Sequence, residues 1–389
     1  MVIALSKMNR VLSVDPVNRL AWVEPGLLNL DLSRHTAAEG LHFAPDPSSQ
    51  QSCSIGGNVA NNSGGPHCLA DGITNAHILG MELVLPDGSV TIIGGEEPEP
   101  VGYDLRGVVV GSEGMLGIVT KVCVRLTQNP PAVRTLLMDF TSVDDGASAV
   151  SAIIAGGILP AALEMMDRLC IEAVEGFVHA GLPLDAAAVL LVEVTGLAAG
   201  LDAEVNRVVE IGRAHGARSV RIAQDENERM LLWKGRKSAF GAIARIKPNY
   251  YLHDTVVPRR RLPEVLAKVY EIADRNDLLV LNVFHAGDGN LHPLLVFDKR
   301  EPGVMDRVHR AGEEIVAVSV AVGGVLSGEH GIGLEKRDYM PWMFSADDLD
   351  AQSLLRRAFD PDGMSNPMKV LPSPSTCGDV HSIPEGAWI

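Results

Sequence analysis

The segment Val283-Phe284-His285-Ala286-Gly287-Asp288-Gly289-Asn290-Leu291-His292 constrains this chain more than any other. Asp-Gly between two apolar runs is the strongest short-range signal for a β-hairpin, closed by a two-residue type I′ turn. With Asp288-Gly289 as that turn, His285 becomes the cross-strand partner of His292. Directly opposed Cβ atoms lie about 4.5–5.5 Å apart. That spacing suits two imidazoles on one metal ion, whose ligand nitrogens sit at about 2.0–2.1 Å. Taken alone, the pair reads equally well as two histidines bracketing an ordinary hairpin.

A second cluster shifts the balance. Ser327-Gly328-Glu329-His330-Gly331-Ile332-Gly333 wraps a Glu-His pair in glycine, which makes poor core and poor helix. It offers a carboxylate ligand and a third imidazole where backbone must come close. In an extended segment adjacent side chains diverge, so Glu329 and His330 are expected to do different jobs, one on the metal and one as a base.

Composition excludes several classes. With 389 residues, 46% of them hydrophobic and 21% charged, the chain has material for two or three packed domains. Its 33 basic and 49 acidic residues leave a net charge of −16, with only 4% aromatics, which argues against nucleic acid as a partner. Five cysteines without a C-x-x-C pair exclude a zinc ribbon or an iron–sulfur site within the chain and point to a reducing compartment, read as cytoplasmic. The apolar start is too short for a signal peptide. The longest weakly polar stretch, Ile315 to Leu326, is too short to span a bilayer.

Along the chain, Leu20–Pro25 reads as a strand and Asn29–Gly40 as a helix with a Gly C-cap. Residues 43–72 have little periodicity and much Gly, Asn, Ser and Pro, and are expected to form a long ordered loop. Ile78–Leu85, a Pro86-Asp87-Gly88 turn and Ser89–Ile93 read as a hairpin, Leu116–Leu126 as a strand, and Asn129-Pro130-Pro131 as a boundary. Beyond it, helices are expected over 142–155, 164–177, 202–215, 226–245 and 262–276. Strands are expected over 188–195, 250–257, 278–285 and 292–297. The fold class is α+β with a mostly antiparallel second sheet, and the polar stretch from Ser373 is a loose tail.

Two glycine-rich segments, Cys53-Ser54-Ile55-Gly56-Gly57-Asn58-Val59-Ala60-Asn61-Asn62-Ser63-Gly64-Gly65 and Gly111-Ser112-Glu113-Gly114-Met115-Leu116-Gly117-Ile118, offer backbone N–H groups to a large polar cofactor. Neither is a dinucleotide fingerprint or a P-loop. Together with P-D-P-S-S before them, they resemble the FAD-binding domain of the vanillyl-alcohol-oxidase type. H-A-G-D-G-N-L-H, G-E-H-G-I-G and D-P-D-G-M-S-N-P-M-K resemble the C-terminal domain of FAD-linked 2-hydroxy-acid dehydrogenases. The segments L-E-M-M-D, Q-D-E, W-K-G-R-K and N-Y-Y-L-H-D-T-V-V-P-R-R carry a closer likeness to the glycolate-oxidising flavoprotein subunits.

The resemblance implies an FAD-binding domain over 1–130, a substrate- and metal-binding cap over 131–358, a return segment over 359–372 and the tail over 373–389. It implies FAD lined by Pro45, Asp46, Gly56, Gly57, Asn58, Asn61, Gly64, Gly65, Glu113, Gly117, Ile118 and Asn366. It further implies a divalent metal on His285, His292 and Glu329, with zinc favoured and manganese or iron tolerated. His330 would be the base, and Arg236 would grip the substrate carboxylate. The implied reaction is oxidation of a small 2-hydroxy acid such as glycolate or D-lactate. An iron–sulfur subunit and a second flavin-domain subunit are the implied partners, with membrane association only through them.

Measured against the family, the chain opens at what reads as a middle strand, so the upstream loop around the FAD pyrophosphate is expected to be missing. Leu252 and Leu294 stand where hydroxyglutarate-type relatives carry polar groups, which favours a smaller substrate. Asp254 lacks the usual following Gly. Two other classes remain open from the residues: a flavin-free metal-dependent hydrolase and an inactive or partner-dependent fragment. His67 and His77 receive no role, and Lys237 reads as solvated.

Overall fold

Two antiparallel sheets organise the computed structural model, which describes residues 1–99 and 101–372. The expected tail, 373–389, lies outside the described residues. Val11–Asp15, Leu20–Val23, Ile118–Arg125, Ile78–Val84 and Val90–Gly94 form, in that spatial order, a five-stranded sheet. Its inner face buries Ala21, Val23, Met81, Leu83, Val122 and Val124 against Leu32, Phe43, Ile55 and Val59. Ile55 and Val59 lie on a helix, Ile55–Asn61, within the stretch expected to be loop. Ser54 Oγ caps it by accepting the Gly57 N–H, and Asn62 ends it in the left-handed region at φ 54°. An apolar pair at i, i+4 outweighs two glycines and two asparagines there, because the pair is fully buried.

The second sheet has nine strands and lies within residues 132–297. Its central strand Ala188–Gly196 pairs with Ala132–Phe140 on one side and Ala162–Asp167 on the other. Leu190 and Val192 face a layer containing the helices Val143–Ala155, Ala198–Ala214 and Leu262–Arg275. Val189 and Leu191 face Arg168–Val178, Glu226–Lys237 and Ala239–Ile243. The sheet is therefore buried on both faces, and any ionisable residue on it must be paired.

Three expectations shift. The helix expected over 164–177 begins only at Arg168, because Asp167 accepts the Cys170 N–H as an N-cap and residues 162–167 are a fully buried strand. Sheet pairing overrides the helix propensity of Leu-Glu-Met-Met. The helix expected over 226–245 breaks at Ser238, and the strand expected over 250–257 breaks at His253-Asp254.

The hairpin register also differs. Asp288 does not adopt positive φ, and only Gly289 does, at 80°, so no type I′ turn forms. A four-residue turn, Ala286 to Gly289, closes the hairpin instead, with Asp288 Oδ1 accepting the Asn290 N–H at 3.0 Å. His285 pairs with Asn290 and Asn282 with Pro293. The shift is two residues, so side-chain parity is preserved. His285 and His292 stay on one face as diagonal neighbours, with ring centroids 5.1 Å apart.

A Cβ at Gly289 would run into the Val257 carbonyl oxygen, whereas one at Gly88 (φ 84°) meets nothing within 4 Å. We therefore expect G289A to lower unfolding stability by clearly more than the ~1 kcal/mol of backbone strain alone. G88A should show only that strain, and denaturant midpoints of the two variants check the difference.

Candidate active site

His285 ends the strand Leu279–His285, and His292 sits between Asn290–Leu291 and Pro293–Phe297. Glu329 and His330 lie on the loop that follows the helix Val304–Ala321. Glu329 Oε1 is 3.5 Å from His285 Nε2, 3.2 Å from His292 Nε2 and 3.4 Å from His330 Nε2. The His330 ring stacks on that of His292 at 5.2 Å and 5°. Glu329 and His330 therefore converge rather than diverge, because the loop is curled and not extended.

The curl comes from Asp254. Its Oδ2 accepts the N–H groups of Gly328, Glu329 and His330 at 2.9, 3.1 and 2.9 Å, and the Ser327 hydroxyl at 2.6 Å. Lys336 Nζ donates to the Asp254 carbonyl at 2.5 Å and tightens the same junction. The break at His253-Asp254 thus frees this carboxylate to turn toward the loop.

Each hairpin histidine turns its Nδ1 toward a buried acid and its Nε2 toward Glu329. His285 Nδ1 donates to Glu164 Oε1 at 2.8 Å, and the two residues are register partners on adjacent strands. His292 Nδ1 stands 3.8 Å from Asp254 Oδ1. Glu164 also binds Arg236 Nη2 at 2.5 Å, with both side chains fully buried. Arg236 reaches this point from the helix Glu226–Lys237, and its Nε and Nη1 make no hydrogen bond.

Charges follow these contacts. Burial works against ionised Glu329, but the three imidazoles of His285, His292 and His330 close around it outweigh that and hold it well below the usual carboxylate range. Burial likewise opposes charge on His285, yet Glu164 and Glu329 raise it well above the usual histidine value. Burial prevails at His292, which is lowered. His330 is raised, since Glu329 and Asp254 overcome its burial. Asp254 is lowered: Lys336, His330 and His292 overcome its burial.

A divalent ion fits this donor set. Neither nitrogen of His292, nor Glu329 Oε2, makes a hydrogen bond, although all are buried. His285, His292 and Glu329 each offer a ligand atom within 4.8 Å of the others. Ligands about 2.1 Å from a tetrahedral ion stand roughly 3.4 Å apart, close to the 3.2 and 3.5 Å seen from Glu329 Oε1 to the two Nε2 atoms. Glu164 and Asp254 then supply the acids that orient ligating imidazoles.

The residues expected around FAD fall into four groups. Asn61 and Gly64 reach the cluster: Asn61 Nδ2 donates to the His330 carbonyl at 3.0 Å, and a Cβ on Gly64 would lie 2.8 Å from Glu329 Oε2. Glu113 and Asn366 fasten the neighbouring loop. Glu113 accepts the Ile332 and Gly333 N–H groups at 2.6 and 2.8 Å, and Asn366 Nδ2 donates to the Glu113 carbonyl. Asp46 pairs with His67 and Lys237, so Lys237 is engaged rather than solvated, and Gly65 packs on the Asp46 backbone.

The fourth group stands back from the cluster. Asn29 Nδ2 donates to the Pro45 carbonyl and to Asn58 Oδ1. Gly56 abuts Pro25, Gly57 belongs to the Ser54 cap, Gly117 abuts the Val84 carbonyl, and Ile118 opens its strand. A Cβ at Gly56, Gly65 or Gly117 would meet backbone or side chain at 2.6, 2.7 and 2.8 Å. At these positions close packing of the chain on itself leaves no room for a side chain.

Sequence reasoning missed Glu164, Asp254 and Asn29 as working residues. Glu164 was hidden by its assignment to a helix. The signal for Asp254 was there, in an acid interrupting an otherwise apolar strand pattern.

Comparison with known proteins now bears on this arrangement. Residues 1–94 match the FAD binding domain and residues 129–370 the FAD linked oxidases, C-terminal domain. The chain is 46% identical over 382 residues to the glycolate oxidase subunit GlcD of Escherichia coli (strain K12), covering 98% of this chain and 77% of that one. The chain belongs to the FAD-linked oxidase family. Within this family it is also 30% identical to a probable mitochondrial D-lactate dehydrogenase of Danio rerio, over 95% of this chain and 74% of the relative. Its fold is shared with substrate-bound p-cresol methylhydroxylase, at a TM-score of 0.76 and 16% identity, over 92% of this chain and 76% of that structure. The vanillyl-type α+β fold of this FAD-linked oxidase is thereby shown. Among the described residues no helix is long and apolar enough to cross a membrane.

D254N replaces an ionised acceptor by a neutral amide. Hydrogen bonds to a charged group contribute about 1.5–3 kcal/mol, so amide exchange at Gly328, Glu329 and His330 should quicken by about tenfold or more. Hydrogen-exchange mass spectrometry over 326–333, against an unchanged Leu136–Phe140 strand, checks this.

Proposed function

We propose that this FAD-linked oxidase oxidises a small 2-hydroxy acid, glycolate or D-lactate, at the cluster of His285, His292, Glu329, His330 and Arg236. The convergence of unbonded, buried His292 and Glu329 ligand atoms beneath the glycine-rich loop at Gly64 carries the reading. His285, His292 and Glu329 would hold a divalent cation, zinc in the first place and manganese or iron as alternatives. When bound, FAD supplies the two-electron acceptor for the α-hydrogen, and the cation a fixed positive charge beside the substrate hydroxyl.

The chain's own residues do the rest. Arg236 is fixed by Glu164 through Nη2, and Nε and Nη1, on separate edges of the guanidinium, each keep a donor for an oxygen of a substrate carboxylate. His330, whose side chain keeps 37% exposure, takes the hydroxyl proton at Nε2 and can pass it to water. His285 and His292 are buried, which keeps water off the reacting carbon. Leu252 lies directly opposite Leu294, and Phe240 meets the His292 ring edge-on at 6.3 Å. This apolar wall offers nothing to a second carboxylate and favours a short substrate. Electrons leave to partner subunits, an iron–sulfur subunit and a second flavin-domain subunit, within a cytoplasmic assembly that meets the membrane only through those partners.

The test is anaerobic addition of glycolate or D-lactate to the flavin-loaded protein. The visible flavin band should bleach with one of them, and no bleaching by any short 2-hydroxy acid overturns the reading. R236K should raise KM for the hydroxy acid by about 10²-fold, the loss expected when a contact at a reacting carboxylate is misplaced.

As a base His330 works only when neutral. Its loss of a proton should therefore show as a limb through which kcat/KM climbs with pH. H330Q should abolish that limb. Metal is tested directly: elemental analysis should find about one divalent ion per chain, and H292A should lose it.

A further inference from the structure

His67 stands outside the machinery described so far, yet it holds two parts of the chain together. It follows the Gly64-Gly65 turn, and its ring lies between two carboxylates. Nδ1 is 2.9 Å from Asp46 Oδ2, and Nε2 is 3.3 Å from Glu193 Oε1. Asp46 belongs to the same stretch as the glycine-rich loop, whereas Glu193 lies on the central strand of the second sheet. The ring also packs on Trp233 at 5.2 Å.

The surroundings make Glu193 a hub. It accepts from Thr135 Oγ1 at 2.7 Å, from Trp233 Nε1 at 2.6 Å, and from Arg229 Nε and Nη2 at 3.0 Å each. Lys237 Nζ reaches back to Asp46 at 3.2 Å. Arg229, Trp233 and Lys237 all lie on the helix Glu226–Lys237, which also carries Arg236. His67 and Asp46 thus grip the helix that delivers the substrate-binding guanidinium, at the level of the residue next to it.

An imidazole that serves two carboxylates must donate from both nitrogens, and only the charged ring has two N–H groups. We propose that His67 is a positioning residue: as an imidazolium it clasps the glycine-rich loop to the Arg236 helix and sets where Arg236 meets the substrate. The inference rests on the assignment of Arg236 above. Charge balance favours the imidazolium, since Asp46 and Glu193 outweigh the nearby Arg229 and Lys237 at the ring itself. His67 is raised to about 10, its burial being overcome first by Asp46. Asp46 and Glu193 are held below the usual carboxylate range by the same partners.

Two measurements decide it. In the wild-type protein labelled with ¹⁵N-histidine, His67 should carry protons on both ring nitrogens at pH 8, where a free imidazole (pKa about 6.5) is neutral. A neutral His67 with one proton overturns the proposal irrespective of activity. In flavin-loaded H67Q, KM for the hydroxy acid should rise about tenfold, with kcat falling less and flavin content unchanged. A role in folding alone would lower kcat with the active fraction and leave KM where it was, and that result also overturns it. R236K is run alongside. If R236K raises KM and H67Q does not, the clasp does not position Arg236 and the proposal falls. If neither does, the assignment of Arg236 has failed and the positioning role falls with it.

Discussion

One carboxylate oxygen, Asp254 Oδ2, organises the centre of this protein by taking three successive backbone N–H groups and a hydroxyl. Successive N–H groups converge on an anion only if the backbone curls. The curl brings Glu329 onto both hairpin imidazoles and the adjacent His330 onto the His292 ring. The other oxygen of Asp254 faces His292 Nδ1, so the residue that shapes the loop also faces a histidine of the cluster. From the turn before the strand Ile118–Arg125, Glu113 grips two further N–H groups of the same loop, at Ile332 and Gly333. Of the six consecutive peptide N–H groups from Gly328 to Gly333, all but that of Gly331 are thus held by two acids from different parts of the chain. Gly331 itself donates to Ser327 Oγ.

The second sheet supplies the rest of the frame. Strand parity places Glu164, Glu193 and His285 on the face covered by the helix Glu226–Lys237. On a sheet buried on both sides, each of these acids needs cationic or N–H partners. That single helix meets both needs, with Arg229 and Trp233 on Glu193 and Arg236 on Glu164. Helical spacing of three and four residues puts Arg229, Trp233 and Arg236 on one face. The site's cation is therefore placed by the same pairing that makes the buried acids tolerable.

Much of this was legible in the sequence, for reasons that differ by element. The His–turn–His pairing survived an error in the turn, because a shift of two residues leaves both histidines on one face; a shift of one would have separated them. The Glu-His cluster was legible because three glycines, Gly328, Gly331 and Gly333, around two ionisable residues suit neither core nor helix. The helix at Ile55–Asn61 was not, since only two apolar residues mark it and its Ser54 cap is inconspicuous among so many Ser, Asn and Gly. Glu164 was not legible either: its role depends on pairing with His285, 121 residues away, and nothing local distinguishes a paired acid from a solvated one. The partners of His67 lie 21 and 126 residues away, which is why it could be given no role from sequence.

The distribution of unmet hydrogen-bonding capacity separates structural from functional pairing. Among the described residues, twelve buried side-chain atoms lack a hydrogen-bond partner, and six belong to Arg236, Asp254, His292 and Glu329 alone. Each such atom costs about 1–3 kcal/mol when left without a partner. A core selected only for stability would spread or remove that cost, as it does around Glu193, where every acceptor site is filled from the protein. Here the loss is concentrated where acid, guanidinium and imidazole converge beneath a loop too close-packed for any residue but glycine. The arrangement is stable only because the surrounding sheet and the two clamped loops fix these groups in place. On the proposed function, those missing partners would come from outside: a cation at the His–His–Glu atoms and a carboxylate at Arg236.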